Sequence, residues 1–340
     1  MGIFSSDITG IDIGASAVKI IRMSGGAQPK LLAAGIVELA PEGTVNGGVG
    51  AQLRELQVKK IVGRKNIVTL LPGKDITIRS LTLPKMPESE LREAVRWEAK
   101  RHISYPLDAA LVEYLINGER REGTVDKLDI LMVAAEQKTV LEHLVPFQEA
   151  DIEVAAVDAN ALALRNVLHL RERPSEENSL VVDMGAGKTE INIFKGGVLR
   201  FSRCVESGGI DMTRAIADRT GMGIEEAETF KQSLDVRPGA PENEAIAALW
   251  GRLDILLMEI RRSVEYYKTT AREKTVTRTV LTGGVALTQG IKEYFSASLE
   301  GPVELDHPFA DLAVKKDLLD QYGPQALRFS AAVGLALRKA

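Results

Sequence analysis

The chain has 340 residues, a net charge of −4, 45% hydrophobic and 26% charged residues, which is the composition of a soluble globular protein with room for two or more cores. The near-balanced charge speaks against nucleic acid as a main partner, and four scattered histidines lack metal-ligand spacing. The lone cysteine, Cys204, cannot form an intramolecular disulfide and is expected as a small core residue; no signal peptide and no apolar run near the ~18 residues of a membrane span is found, so a cytosolic protein is expected, one still able to dock on a membrane complex.

In chain order, three strands are expected at about 8–13, 17–23 and 31–38, with Ile11-Asp12-Ile13-Gly14-Ala15-Ser16 running the first of them into an acid-and-glycine turn. A Gly-rich loop over Pro41–Gly50 and a short helix near 49–57 precede a buried-type strand at 66–71, and Pro72-Gly73-Lys74-Asp75 marks a subdomain boundary. The segment from about 74 to 154 then reads as a β-α-β-β-α-β unit. Its strands are expected at 76–83, 110–117, 128–134 and 152–157, with a polar loop at 118–127. Its first helix opens at Pro87-Glu88 with Leu91, Ala94, Val95 and Ala99 as an apolar stripe, and its second spans about 137–149. Trp97 lies close to that stripe and is read as a core residue in preference to an anchor for a protein partner.

A helix over 159–169 reads as a crossing between two halves of the chain, followed by a charged linker, Arg171–Asn178. Next, Ser179–Asp183 drives an apolar strand into Gly185 and Gly187, and Ile191 and Ile193 alternate along a returning strand. Alone, either Asp-x-Gly hairpin is better explained by an ordinary turn than by a phosphate-and-cation grip, because the motif is short. The two together say more. After Asp12 a glycine pair stands at Gly25-Gly26, and at the same offsets after Asp183 stand Gly196-Gly197, half a chain length away. Duplication of this kind predicts two similar lobes, each offering a glycine turn to one cleft.

Past the second hairpin, Glu206–Asp211 is a Gly-rich turn opening a helix over 212–220, and a helix at 224–231 places Glu228 and Lys231 on one face. After a Pro-rich loop, the helix over 244–270 buries Leu249, Leu253, Leu256, Leu257, Ile260, Val264 and Tyr267. A strand at 276–281 ends in Gly283-Gly284, which suits either close backbone approach to an adenosine or a tight strand-to-helix turn. A helix at 288–299, a short strand at 301–306 and a final helix at 326–338 follow; Ser330, Ala331, Ala332 and Gly334 suit that helix to close packing on the first lobe.

These hairpins, the Glu228/Lys231 helix and the strand ending in Gly283-Gly284 together resemble the actin/Hsp70-like ATPase superfamily. Pro84-Lys85-Met86-Pro87, the run Glu93-Ala94-Val95-Arg96-Trp97-Glu98-Ala99, Ile103-x-Tyr105-Pro106 and Met258–Tyr267 make the chain more similar to the PilM family of type IV pilus assembly proteins. The resemblance implies an α/β, two-lobed actin/Hsp70-like fold with a duplicated RNase H-like core and an inserted α+β subdomain as in FtsA. It assigns 1–73, 155–176 and the helix 326–340 to the first lobe, 74–154 to the inserted module, 177–205 and 276–325 to the second lobe, and 206–275 to a helical subdomain. It implies ATP and Mg²⁺ in the interlobe cleft, the metal held through water by Asp12 and Asp183. Gly14, Ser16 and Lys19 would meet the phosphates from one side and Gly185, Gly187 and Thr189 from the other; Glu228 and Lys231 would reach the ribose, and Gly283 and Gly284 would pass the adenosine. Lys188 departs from the family pattern and is open between a phosphate grip and solvent, while Asp158 is the candidate to orient an attacking water.

The function so implied is that of an ATP-binding cytoplasmic scaffold with at most slow turnover. It would couple nucleotide state to docking of the N-terminal cytoplasmic tail of PilN, sit peripherally at the inner membrane through protein partners, and reach other pilus components or self-associate. An FtsA-like filament former is the alternative, although the chain stops at Ala340 just after its last packed helix rather than in a membrane-anchoring tail; a small-molecule kinase comes third.

Overall fold

The computed structural model describes residues 7–26, 28–39, 48–63, 65–171, 177–271 and 275–338. Most of the expected loop at 41–50 and of the charged linker at 171–178 lies outside them.

Two sheets of the same design form the frame. In the first, β1 (Ile8–Ile13), β2 (Ala17–Met23) and β3 (Lys30–Glu38) make an antiparallel meander. After α1 (Gly48–Val58), β4 (Ile67–Leu71) pairs parallel to β1. The chain then leaves through β5 (Ile76–Pro84), α2 (Glu88–Ala99), β6 (Ala110–Glu122), β7 (Val125–Glu136) and α3 (Gln137–Glu149). It returns as β8 (Val154–Ala159), parallel to β4, and crosses to the second half along α4 (Asn160–Arg171). There β9 (Asn178–Met184), β10 (Thr189–Lys195) and β11 (Val198–Val205) repeat the meander. The helices α5 (Gly209–Thr220), α6 (Ile224–Ser233) and α7 (Glu244–Ala271) precede β12 (Arg278–Thr282), α8 (Ile291–Ser296) and β13 (Val303–Leu305). The chain ends in β14 (Ala313–Val314), α9 (Lys316–Tyr322) and α10 (Ser330–Ala336). The strand orders, β3-β2-β1-β4-β8 and β11-β10-β9-β12-β13, are the same with the same directions, and β14 extends the first sheet beside β3.

Packing follows the apolar faces. Ile11, Val18, Ile20 and Ile67 face Leu53 and Leu56 of α1 and Phe147 of α3. On the other side of the first sheet, Ile21 and Met23 meet Val167 of α4 and Ala332 and Val333 of α10. Val182, Met184, Ile191 and Ile193 of the second sheet bury against α5, α7 and α8. Its reverse face, Val181, Phe194 and Val280, meets Ala161, Leu164 and Leu168, so α4 lies in both cores and joins the halves. The small residues of α10 let it come close: a Cβ on Gly334 would stand 2.0 Å from the carbonyl oxygen of Ala163.

The segment over 74–154 differs from the expected six-element unit. β5, β7 and β6 form a separate three-stranded sheet under α2, with Leu91, Val95 and Ala99 packed on Leu128, Ile130 and Met132. The last expected strand, β8, pairs instead with β4, and α3 packs on α1, because their apolar faces complete the first lobe's core. The expected loop at 118–127 is the tip of a long hairpin, β6 pairing with β7 out to Glu122 opposite Val125 around Gly123 at φ 63°. Charge pairs hold it, Lys127–Glu122 at 2.6 Å and Arg120–Asp129 at 3.3 Å, so no apolar alternation announces it.

Trp97 is 62% exposed, not core. Leu91, Val95 and Ala99 recur every four residues, and a residue two past Val95 points to the opposite side of the helix; there the ring meets Lys100 Nζ, 5.8 Å from its centroid. The expected C-terminal helix is broken: residues Gly323–Phe329 form a 3₁₀ turn carrying Pro324, and the α-helix begins only at Ser330.

Candidate functional site

Each meander carries the same turn. In the first, the Gly14 N–H donates to the Ala17 carbonyl at 2.9 Å; in the second, the Gly185 N–H donates to the Lys188 carbonyl at 2.9 Å. Asp12 and Asp183 stand at the ends of equivalent strands, and the turns meet across the gap between lobes, where a Cβ on Gly187 would lie 3.1 Å from the Ala15 methyl. Between them opens a cavity of about 1330 Å³, larger than the ~300–1,000 Å³ of ordinary ligand pockets. Asp12, Gly14, Ser16 and Lys19 line it from the first lobe, and Asp183, Gly185, Gly187 and Lys188 from the second. Glu228, Lys231, Gly283 and Gly284 line its far end.

Two sequence-predicted residues are not brought there. Thr189 is fully buried, its hydroxyl donating to the Ser207 carbonyl at 2.8 Å. Asp158 faces the last helix, its Oδ2 3.2 Å from Arg338 Nε and its Oδ1 accepting from the Ala159 N–H at 2.8 Å. Burial raises its carboxyl pKa above the usual range although those partners oppose it.

The charges within the cleft are unevenly matched. Lys19 Nζ donates to Asp12 Oδ2 at 2.9 Å. Among the described residues the direct partner of Asp183 is neutral, the Asn160 side-chain amide, whose Nδ2–H donates to Oδ2 at 2.7 Å. Burial, with Glu190 and Asp12 adding to it, pushes the Asp183 carboxyl up to about 6 against the pull of Asn160 and Lys19. Asn160 is 4% exposed, and its Oδ1 has no partner among the described residues. Lys188, which the sequence leaves open between phosphate and solvent, donates to Glu190 Oε1 at 2.8 Å; burial pulls its pKa down, but Glu190 outweighs that and holds it above the usual value. Cys204 lies opposite Glu190 in the ladder, half-buried rather than in a core, its thiol pushed up to about 11 by burial.

At the far end, α5 starts against the second turn: the Gly209 N–H donates to the Gly185 carbonyl at 3.0 Å and the Ile210 N–H to the Ala186 carbonyl at 2.8 Å. A Cβ on Gly208 would lie 2.5 Å from that Ala186 oxygen, so only glycine fits the approach. Lys231 Nζ donates to Glu228 Oε2 at 2.6 Å, Thr213 Oγ1 at 2.7 Å and the Gly209 carbonyl at 3.0 Å. Burial works against the Glu228 carboxylate, but the hydrogen bonds from Lys231 and Thr213 hold its pKa below the usual range. Gly283, at φ 87°, passes close to the strand end, where a Cβ would be 2.5 Å from Asp183 Oδ1. Arg328 grips Glu38 with two hydrogen bonds, at 2.7 and 2.8 Å, on the cleft wall.

Sequence reasoning misses Asn160, Glu190, Gly209 and Arg328. The Gly208-Gly209 pair before a helix is a usable signal, being the pattern that exposes helix N–H groups. Asn160 and Arg328 give none, since their roles depend on contacts made across the fold.

A family model described as type IV pilus assembly protein PilM matches residues 10–340. A solved structure described as the PilM–PilN type IV pilus biogenesis complex contains a chain that superposes with a TM-score of 0.85 at 26% identity, covering 98% of each chain. The cell division protein FtsA of Streptococcus pneumoniae is 22% identical, aligned over 96% of this chain and 79% of its own length. The ethanolamine utilization protein EutJ of Carboxydothermus hydrogenoformans shares the fold at a TM-score of 0.58 and 15% identity, covering 98% of this chain and 89% of its own.

Proposed function

The chain belongs to the family of the type IV pilus assembly protein PilM, and from that premise we propose that it is a nucleotide-switched scaffold, closing on MgATP and altering the docking of a membrane partner. The observation that carries the nucleotide part is the pair of matched Asp-x-Gly turns facing each other across one cavity. Asp12 and Asp183 hold the hydrated Mg²⁺. Gly14, Ser16 and Lys19 meet the polyphosphate from one side and Gly185, Gly187 and Lys188 from the other; Glu228 and Lys231 take the ribose, and Gly283 and Gly284 flank the adenosine. The residues fit such a ligand: a half-buried carboxylate raised to about 6 and an orphaned Asn160 oxygen at its side are groups in want of a cation and its waters. Bound Mg²⁺ neutralises the charge of the triphosphate. Turnover is slow or absent, because Asp158, the candidate to orient water, is engaged by Arg338 instead of lining the cleft.

The partner is the short cytoplasmic tail of a PilN-type membrane protein, in keeping with the likeness to the chain from the PilM–PilN complex, and it is held by the inserted module, reduced to the three-stranded sheet and α2 over 76–136. A groove of that module would supply main-chain hydrogen bonds and apolar pockets to the tail. Among the described residues no helix is long and apolar enough to cross a membrane, so peripheral attachment through that partner is the arrangement we favour. Calorimetry of a PilN-type tail peptide against the protein, with and without MgATP, tests partner and coupling together: binding in both states with a changed affinity is expected, and a protein that retains no adenine nucleotide and binds no peptide refutes the reading. The similarity to FtsA favours a second reading, a filament former. ATP-dependent, concentration-dependent filaments in the electron microscope would establish it.

A further inference from the structure

Glu190 touches two things at once. Its Oε1 accepts from Lys188 Nζ at 2.8 Å, with the side chain 4% exposed. The same carboxylate lies against the backbone of Gly73, where a Cβ would stand 2.3 Å from Oε1 and 2.6 Å from Cδ. Gly73 opens a 3₁₀ turn, Gly73–Asp75, that runs straight into β5, the first strand of the separate three-stranded sheet. β5 in turn leans on the second lobe, the Ser80 hydroxyl donating to the Arg200 carbonyl at 3.2 Å. Lys188 and Glu190 both line the main cleft, and Glu190 also lines a second cavity of about 240 Å³ shared with Gly73, Lys74, Ser202 and Arg203.

Building on the nucleotide reading of the cleft, we propose that the Lys188–Glu190 pair senses the terminal phosphate of a bound nucleoside triphosphate and transmits that state through Gly73 to the root of the three-stranded module. A phosphate oxygen offered to the Lys188 ammonium competes with Glu190 for it, as charge-assisted hydrogen bonds to either anion are strong. A buried carboxylate deprived of its cation does not stay where it is. Glu190 has somewhere to go, the second cavity with its Lys74 and Ser202 (Arg203 on its wall is held by Glu259 at 2.6 Å), and the Gly73 backbone packed on it with no space between must follow. A diphosphate lacks the competing group, so the pair stays closed. The first lobe has no equivalent carboxylate to displace: there the matching ladder position is Lys19, itself a cation, bonded to Asp12 within its own hairpin.

Hydrogen exchange of the full chain, read on peptides covering residues 73–80, tests this without ligand, with MgADP and with MgATP. In the unsubstituted protein MgATP, and not MgADP, should change exchange there by about fivefold or more, the low end of ordinary site-to-site couplings. Glu190→Gln should still bind MgATP by calorimetry yet lose that change. Gly73→Ala, whose methyl displaces the carboxylate, should show altered exchange with no nucleotide present. If Glu190→Gln keeps the full MgATP-dependent change, or loses MgATP binding altogether, the proposal is wrong. It is also wrong if the unsubstituted protein binds MgATP with no change at 73–80. A protein that binds neither nucleotide overturns the cleft reading first, and this one with it; should Glu190→Gln fail to fold, Gly73→Ala decides alone, since with the carboxylate already displaced it should lose the MgATP-dependent change, and keeping that change in full overturns the proposal.

Discussion

The two hairpins share one backbone and differ in the residue facing the acid. Both turns close with the same N–H to carbonyl bond at the same spacing. In the first, Asp12 stands opposite Lys19; in the second, Asp183 stands opposite Glu190. One turn is therefore neutral within itself, and the other concentrates negative charge, offset by Lys188 on the side of Glu190 and by a neutral amide on the side of Asp183. Duplication preserves what the turn must do sterically, while the charge placed across the ladder decides which half is self-sufficient and which waits for a cation.

Amide substitutions break that comparison most sharply. Asp12→Asn and Asp183→Asn should each cost MgATP affinity on the order of 100-fold, as loss of a metal-orienting group does. Without ligand their stabilities should move in opposite directions. Asp12→Asn strands the Lys19 ammonium, 15% exposed, and should cost about 2 kcal/mol. Asp183→Asn removes a half-buried carboxylate that no cation contacts directly among the described residues, and keeps an acceptor for Asn160, so its thermal midpoint should rise by a few degrees. Parallel melts of both variants check this, and a fall in both would mean that Asp183 is compensated after all.

Acidity sharpens the contrast by a smaller amount. The Asp183 carboxyl lies at about 6 in the fold, above its ordinary value, so its contribution to stability is present at acid pH and fades as the pH rises through about 6. Metal binding needs the carboxylate, so Mg²⁺-dependent nucleotide affinity should drop roughly tenfold per pH unit below about 6. Asn160→Ala takes away the hydrogen bond that favours the ionised form, and should move that midpoint upward by about one pH unit while lowering affinity near neutrality. Calorimetry from pH 5 to 8 reads both effects; an unmoved midpoint would leave Asn160 without the role its geometry suggests.

How far the sequence reveals this comparison depends on the range of the contacts involved. Asp12, Asp183 and their glycines announce themselves by spacing, because a tight turn is a local object and its duplication keeps the offsets. The cation for Asp12 lies seven residues on, within the same hairpin; the sequence reading places Lys19 at the phosphates, whereas the fold pairs it with Asp12. The amide for Asp183 comes from a helix 23 residues earlier, and no pattern in the chain marks it. The same distinction governs the fold. The buried stripe of α7 is legible because helical period is local, and Leu249, Leu253, Leu256, Leu257, Ile260 and Tyr267 are indeed buried. Sequence puts β8 in the wrong sheet because parallel pairing with β4 is decided by the whole first-lobe core. The strands β6 and β7 are read at 110–117 and 128–134, but the hairpin tip over 118–127 escapes notice because a strand wet on both faces has no apolar rhythm to read.

Thr189 permits the smallest test, and it separates sequence analogy from geometry. Its counterpart in the first hairpin is Val18, at the same offset from the acid, and both side chains are buried, at 0% and 1% exposure. Analogy sends the Thr189 hydroxyl to a phosphate; the structure sends it to the Ser207 carbonyl, away from the cleft. Thr189→Val makes the second hairpin like the first at this position, keeps the β-branched shape and strands one buried acceptor. Stability should fall by about 1 kcal/mol, the worth of one buried hydrogen bond, with MgATP affinity unchanged. Denaturant melts and calorimetry on the same sample decide it: a loss of affinity with intact stability would return the hydroxyl to the ligand and show that the second turn rearranges when the cleft closes.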